Sequence, residues 1–236
     1  METGTARAAG RRRGWVHQQS PLVYRIVYAA FTVFFRFWLH SYRVVGADRV
    51  PHEGSGFLIA NHTSAMDPLI LGFAVKHRML RGPGKVELFK NRIAAWAIRK
   101  LGIFPLSRNG IDAAGVRTMV ELYRAGTVVV VYPEGGRSES GDLQVIEPGF
   151  ARLAIKLKAR LIPAGIAGGK DLLPIGSVVP RRGVSVAVAF GEPFDLSEFY
   201  GKQLTPDTLR EAAAVIHDRI AALREVAIGE LRRGES

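Results

Sequence analysis

The chain has 236 residues, 47% hydrophobic and 23% charged, which excludes an intrinsically disordered polymer and suits one large domain with appendages. Thirty-three Lys and Arg against 21 Asp and Glu leave a net charge of +12, pointing to an anionic partner such as nucleic acid, a phospholipid surface or a phosphorylated substrate. The absence of cysteine rules out disulfides, a thiol nucleophile and thiolate metal ligands, and the six scattered histidines show no metal-ligand spacing, so no metal is expected.

Residues 1–20 are small, polar and basic, with Arg11, Arg12 and Arg13 consecutive, and read as a flexible basic arm. Residues 21–42 follow as an apolar, aromatic-rich segment. At about 100° per residue Arg25, Arg36 and Arg43 share one narrow stripe, so the helix is amphipathic and reads as an interfacial, membrane-associated element. A core helix of the same domain and a single spanning helix are the other two readings.

Residues 43–230 read as the catalytic domain. A short strand near Gly46–Val50 and a turn lead to the apolar strand Phe57–Ala60. A helix continues from Pro68. Lys85–Phe89 reads as a short strand or its exit, residues 91–101 as a helix, and Gly102–Arg108 as another apolar run ending in a cation. Asp112 caps a helix to about Arg124. Thr127–Tyr132 is a β-branched run fit for a strand buried on both faces, and 149–159 a further helix. Leu161–Ile166 and Val184–Phe190 are the remaining strands, and Thr205-Pro206 starts the terminal helix with a cap and a proline in its first turn. The alternation predicts an α/β fold with a mostly parallel central sheet flanked by helices.

Three charged motifs sit at predicted strand ends, where an open α/β sheet forms its ligand crevice. Asn61-His62-Thr63-Ser64-Ala65-Met66-Asp67 can fold so that the Asp67 carboxylate orients His62 as a general base. The same residues also read as a helix N-cap at Thr63 or Ser64 with Asp67 in the first turn. Arg108 ends the second motif. The third, Tyr132-Pro133-Glu134-Gly135-Gly136-Arg137-Ser138, offers a carboxylate, a guanidinium and a glycine pair, Gly135 and Gly136, through which backbone N–H groups can approach an anion.

These blocks resemble the glycerophospholipid acyltransferases of the lysophosphatidate (1-acylglycerol-3-phosphate) acyltransferase type. Asn61, His62 and Asp67 match the family's Asn-His-x4-Asp block, and Gly102 to Arg108 its second. Tyr132 to Ser138 is similar to Phe-Pro-Glu-Gly-Thr-Arg-Ser, with Tyr132 in place of Phe and Gly136 in place of Thr. Leu161–Ala164 and Lys85–Phe89 carry two further blocks.

The resemblance implies transfer of a fatty acyl chain from acyl-CoA or acyl carrier protein to a lysophospholipid hydroxyl, with 1-acylglycerol 3-phosphate the acceptor and phosphatidate the product. His62 would be the base, Asp67 its orienting group, and Lys85 or a backbone N–H the oxyanion donor. Arg108 and Arg137 would hold the acceptor phosphate, and Glu134 would accept from its glycerol hydroxyl. No metal or redox cofactor is expected. The expected partners are membrane lipids, the lysophospholipid and the acyl carrier, with no nucleic acid. The expected location is peripheral or monotopic on the cytoplasmic face of the cell membrane. The same chemistry on glycerol 3-phosphate, another lysophospholipid or a glycolipid is the nearest alternative, and a non-catalytic basic membrane-binding protein the next.

Overall fold

The computed structural model describes residues 20–106 and 113–235. Its helices are α1 (Pro21–Trp38), α2 (Asp67–Ala74), α3 (Arg92–Lys100), α4 (Ala113–Arg124), α5 (Pro148–Leu157), α6 (Gly169–Leu172) and α7 (Pro206–Glu235). Its strands are β1 (Ser41–Val45), β2 (Gly56–Ala60), β3 (Gly82–Lys85), β4 (Ile103–Leu106), β5 (Val128–Val131), β6 (Leu161–Ala167) and β7 (Ser185–Phe190).

Five strands form the main sheet in the order β1-β7-β6-β2-β5. The β1–β7, β6–β2 and β2–β5 pairings are parallel, and β6–β7 is antiparallel. The expected α/β architecture with a mostly parallel sheet is therefore present. β2, β5 and β6 are buried along their whole length, which is why they read as uninterrupted apolar runs.

Side-chain alternation along these strands divides the core into two layers. Leu58, Val130, Ile162 and Ala164 face Ile70, Phe73 and Phe35 of α2 and α1. Phe57, Ile59, Val129 and Leu161 face Phe150 of α5, Leu122 of α4, and Ile216 and Ile220 of α7. Gly165 lets α7 lie directly on β6, since a Cβ there would sit 2.2 Å from the backbone nitrogen of Arg224. Thr205 caps α7 through Thr208 N–H at 3.2 Å, as its sequence predicts.

Two expectations are corrected. The strand sought at Gly46–Val50 is a 3₁₀ turn at Ala47–Arg49, and the edge strand precedes it at Ser41–Val45, where it pairs with β7. Residues 21–42 are not one helix, because α1 ends at Trp38 and the chain enters β1 at Ser41.

The aromatic density of α1 serves the domain itself. Phe35 is buried; its ring lies 5.0 Å from Phe73 and 5.7 Å from Tyr42, while Tyr28 stacks on Phe73 at 4.8 Å. Each such pair contributes about 0.5–1.5 kcal/mol beyond its area burial. A different stripe, Leu22, Ile26, Val33 and Phe37, is exposed. These four lie within about 60° of one another on the helix, on the side away from the buried rings. Among the described residues no helix is long and apolar enough to cross a membrane.

Candidate active site

Parallel β2 and β5 end side by side, so the segments that follow them meet at one edge of the sheet. Asn61 locks the end of β2. Its side-chain amide donates to Ile166 O at 2.9 Å and its carbonyl accepts Ile166 N–H at 2.7 Å, extending the β2–β6 contact one residue past the ladder. His62 is thereby placed at a defined height above β6.

The His62 Nδ1 atom lies 2.9 Å from Asp67 Oδ2. The same oxygen accepts the N–H groups of Thr63 and Ser64 at 2.7 and 2.8 Å. Asp67 is fully buried, and an acceptor-only carboxylate requires Nδ1 to carry the proton, which leaves the lone pair on Nε2. Asp67 stands in the first turn of α2 as the capping reading has it, closes the turn and fixes the imidazole tautomer, but the N-cap position is Met66 and not Thr63 or Ser64.

Ser64 has a structural part in the turn. It has no solvent exposure; its hydroxyl donates to Leu173 O at 3.0 Å and accepts Met66 N–H at 3.2 Å, bracing the turn against the end of α6.

The Tyr132–Ser138 segment meets His62 from the β5 side. Glu134 Oε1 accepts the His62 backbone N–H at 2.7 Å, its Oε2 accepts Gln144 N–H at 2.8 Å, and Ser138 N–H donates to His62 O at 2.8 Å. Both backbone groups of the histidine are consequently held by this one loop. Burial pushes the Glu134 carboxyl above the usual glutamate range, opposed by those two backbone donors. With an oxygen committed to each amide, Glu134 is a brace for the histidine. Each of its oxygens keeps a second lone pair, so the brace and the acceptor-hydroxyl contact expected of Glu134 are compatible.

Gly135 has φ +75° and ends a turn closed by its N–H to Tyr132 O, a conformation that disfavours a side chain. Gly136 has open space where a Cβ would be. Arg137, half-buried, adjoins Ser138 and so is carried to the histidine; it has no carboxylate partner among the described residues.

Lys85 is exposed at the end of β3. Arg81, the residue before β3, forms a parallel bridge with Val129 of β5, and β3 itself pairs with β4 in a separate two-stranded sheet. Arg108 lies outside the described residues.

Two contributors were missed in the sequence. The Tyr132 ring stacks on the His62 imidazole, with centroids 3.9 Å apart and planes 12° from parallel. An aromatic face against the ring favours the imidazolium. An aromatic residue directly before Pro-Glu at a strand end was the available signal. Gly169 is the other: a Cβ there would lie 2.5 Å from Asp67 Oδ1. Only the folded chain brings these two together.

The sequence model of the family described as Acyltransferase matches residues 41–167, more than half of the chain, from β1 through β6. The 1-acyl-sn-glycerol-3-phosphate acyltransferase of Streptococcus pneumoniae is 29% identical over 180 residues, covering 75% of this chain and 64% of the relative. That of Bacillus subtilis is 28% identical over 161 residues, covering 66% and 75%. The crystal structure of the 1-acyl-sn-glycerophosphate acyltransferase PlsC from Thermotoga maritima superimposes with a TM-score of 0.62 at 27% identity, over 79% of this chain and 72% of that one. The chain thus spans just under two thirds of the pneumococcal relative's length. With the Asn-His-x4-Asp turn, the Glu-Gly-Gly-Arg loop and the family match falling on the same residues, the chain belongs to the acyltransferase family.

Proposed function

We propose that the protein transfers a fatty acyl chain from a thioester to the free hydroxyl of 1-acylglycerol 3-phosphate, giving phosphatidate. The observation that carries this reading is the Asp67–His62 pair, with Nδ1 and Oδ2 2.9 Å apart, in a loop whose next strand neighbour delivers Arg137.

In the proposed reaction the acceptor hydroxyl gives its proton to His62 Nε2 as its oxygen attacks the thioester carbonyl. Asp67 and the Tyr132 ring stabilise the imidazolium that forms. The tetrahedral intermediate then collapses: the C–S bond breaks, an oxygen ester remains, and the imidazolium returns its proton to the departing thiolate. Buried Ser64 takes no part, so the acyl group passes directly to the acceptor.

Arg137 and Arg108 are assigned to the acceptor phosphate, where a guanidinium fork matches phosphate oxygens. Lys85, exposed at the end of β3, is one candidate donor to the oxyanion at the reacting carbonyl. A backbone N–H is the other. The thioester carrier is acyl-CoA or acyl carrier protein. Acceptor and product are membrane lipids, and the exposed apolar stripe of α1 beside Arg25 and Arg36 fits the surface of an anionic leaflet.

The test is purified protein with 1-acylglycerol 3-phosphate and either palmitoyl-CoA or palmitoyl-acyl carrier protein, with the product identified by mass. Phosphatidate formed by the wild type and absent with His62→Ala is the expected result. No ester product with either donor would reject the proposal.

A further inference from the structure

Between α6 and β7 the chain leaves the domain surface as a loop. Its base is closed by Arg181 N–H donating to Leu172 O at 2.7 Å, and Ser177 N–H turns back to Pro174 O at 3.0 Å. Pro174 and Pro180 bracket the sequence Ile-Gly-Ser-Val-Val. Val178 is 91% exposed and Val179 65%, and Arg181 and Arg182, also exposed, follow directly. Isolated exposed apolar residues are ordinary. Two adjacent valines at the outermost point of a proline-bracketed loop, with paired cations just behind them, are a graded surface.

This loop is fastened at both sides. Toward α1, the Trp38 indole N–H points at the carbonyls of Pro180 and Arg181, 3.2 and 3.1 Å away, and Gly183 N–H donates to Trp38 O at 2.8 Å. The loop base is therefore continuous with the end of α1, where Phe37 begins the exposed apolar stripe. Toward the site, Leu173 O accepts the Ser64 hydroxyl and Gly169 abuts the Asp67 carboxylate.

We propose that residues 174–182 form a second membrane-docking element, inserting Val178 and Val179 among lipid tails and placing Arg181 and Arg182 at the phosphates of an anionic leaflet. The inference rests on the reading of membrane lipid as substrate. The order of groups carries the choice of occupant: the exposed valine pair is followed, one proline later, by exposed Arg181 and Arg182, apolar side chains and cations in the sequence they occupy across a headgroup boundary. A convex apolar tip with cationic shoulders fits that gradient, whereas a protein partner would need a pocket for the tip and carboxylates for the arginines. Because the loop grows from the wall that braces Ser64 and Asp67, docking by it and by α1 together fixes the active-site edge against the lipid surface.

The chain has no cysteine, so Val178→Cys labelled with an environment-sensitive nitrobenzoxadiazole reports one position in the full-length protein. With vesicles of phosphatidylglycerol and phosphatidylcholine the label should shift to the blue and be quenched by nitroxide-bearing lipid tails. Val178→Ser with Val179→Ser should weaken vesicle binding by about tenfold or more at unchanged Tm. Arg181→Gln with Arg182→Gln should erase most of the preference for phosphatidylglycerol vesicles over pure phosphatidylcholine, about fivefold per charge. Failure of the wild type to sediment with vesicles would reject the membrane reading itself. Wild-type sedimentation with the label still in water would reject the loop alone. A valine double variant that loses self-association while keeping vesicle binding would instead assign the tip to a second copy of the chain.

Discussion

The carboxylate of Glu134 accepts the backbone N–H of His62 across 2.7 Å, joining two segments 72 residues apart. Its other oxygen holds Gln144 N–H, so one buried side chain sets the distance between the histidine turn and the arginine loop. Glu134→Gln keeps the shape but turns an amide N–H toward Gln144 N–H. We expect it to cost about 1–3 kcal/mol of stability and to lower kcat along with the Tm, measured by calorimetry and by turnover at saturating substrate. The pH dependence has a definite sign. Burial raises the folded carboxyl above the ordinary glutamate range, so the folded state binds this proton more tightly than the unfolded state. The stability from that shift is complete below the ordinary glutamate pKa and is lost as pH rises through the folded one. The advantage of wild type over Glu134→Gln should therefore shrink as pH rises across that window; an advantage that grows would contradict the assignment.

His62→Ala should lower kcat by about 10² to 10⁴ without changing the circular dichroism spectrum. Asp67→Asn should fall in the same range, because an amide supports the neutral ring and the two backbone N–H groups but not the imidazolium. Ser64→Ala should retain acyl transfer while losing about 1–3 kcal/mol of stability, from the orphaned Leu173 carbonyl and Met66 N–H. Abolished transfer at normal stability would make Ser64 an acyl carrier and contradict direct transfer.

Arg137→Ala should raise the acceptor KM by roughly 10- to 100-fold with a smaller effect on kcat, as expected for a charge-assisted phosphate contact. The decisive comparison is with an acceptor lacking phosphate, such as a monoacylglycerol, for which the variant and the wild type should converge.

The glycine pair should respond asymmetrically. Gly136→Ala meets open space at an ordinary φ and should stabilise by about 0.4–1 kcal/mol through the unfolded chain. Gly135→Ala must place a side chain at φ +75° with Glu147 carbon 3.3 Å away, and should destabilise. Paired thermal melts measure both.

Removing residues 1–40 should yield aggregated protein, because it strips Phe35 from the rings of Phe73 and Tyr42. Serine at Ile26, Val33 and Phe37 tests the outer face without that loss: vesicle binding should drop while Tm holds. Reduced Tm in that triple variant would place the stripe inside the fold.

The alternation of strands and helices and the contact between His62 and Asp67 were legible in the sequence, because apolar periodicity and the short His62–Asp67 spacing are local properties of the chain. Three things were decided only by tertiary structure. Glu134 reads only as a ligand group until β2 and β5 pair in register and bring its oxygens onto two backbone amides, adding a bracing role. The aromatic face of α1 reads as lipid-facing until Phe73 and Tyr42, from elements distant in sequence, cover it. Gly169 carries no local mark and Tyr132 only its place before Pro-Glu at a strand end, since their roles come from being adjacent to Asp67 and His62 in space. A sequence fixes which groups are available and which face of an element is apolar; what satisfies a buried polar atom or covers an apolar face depends on partners that arrive from elsewhere in the chain.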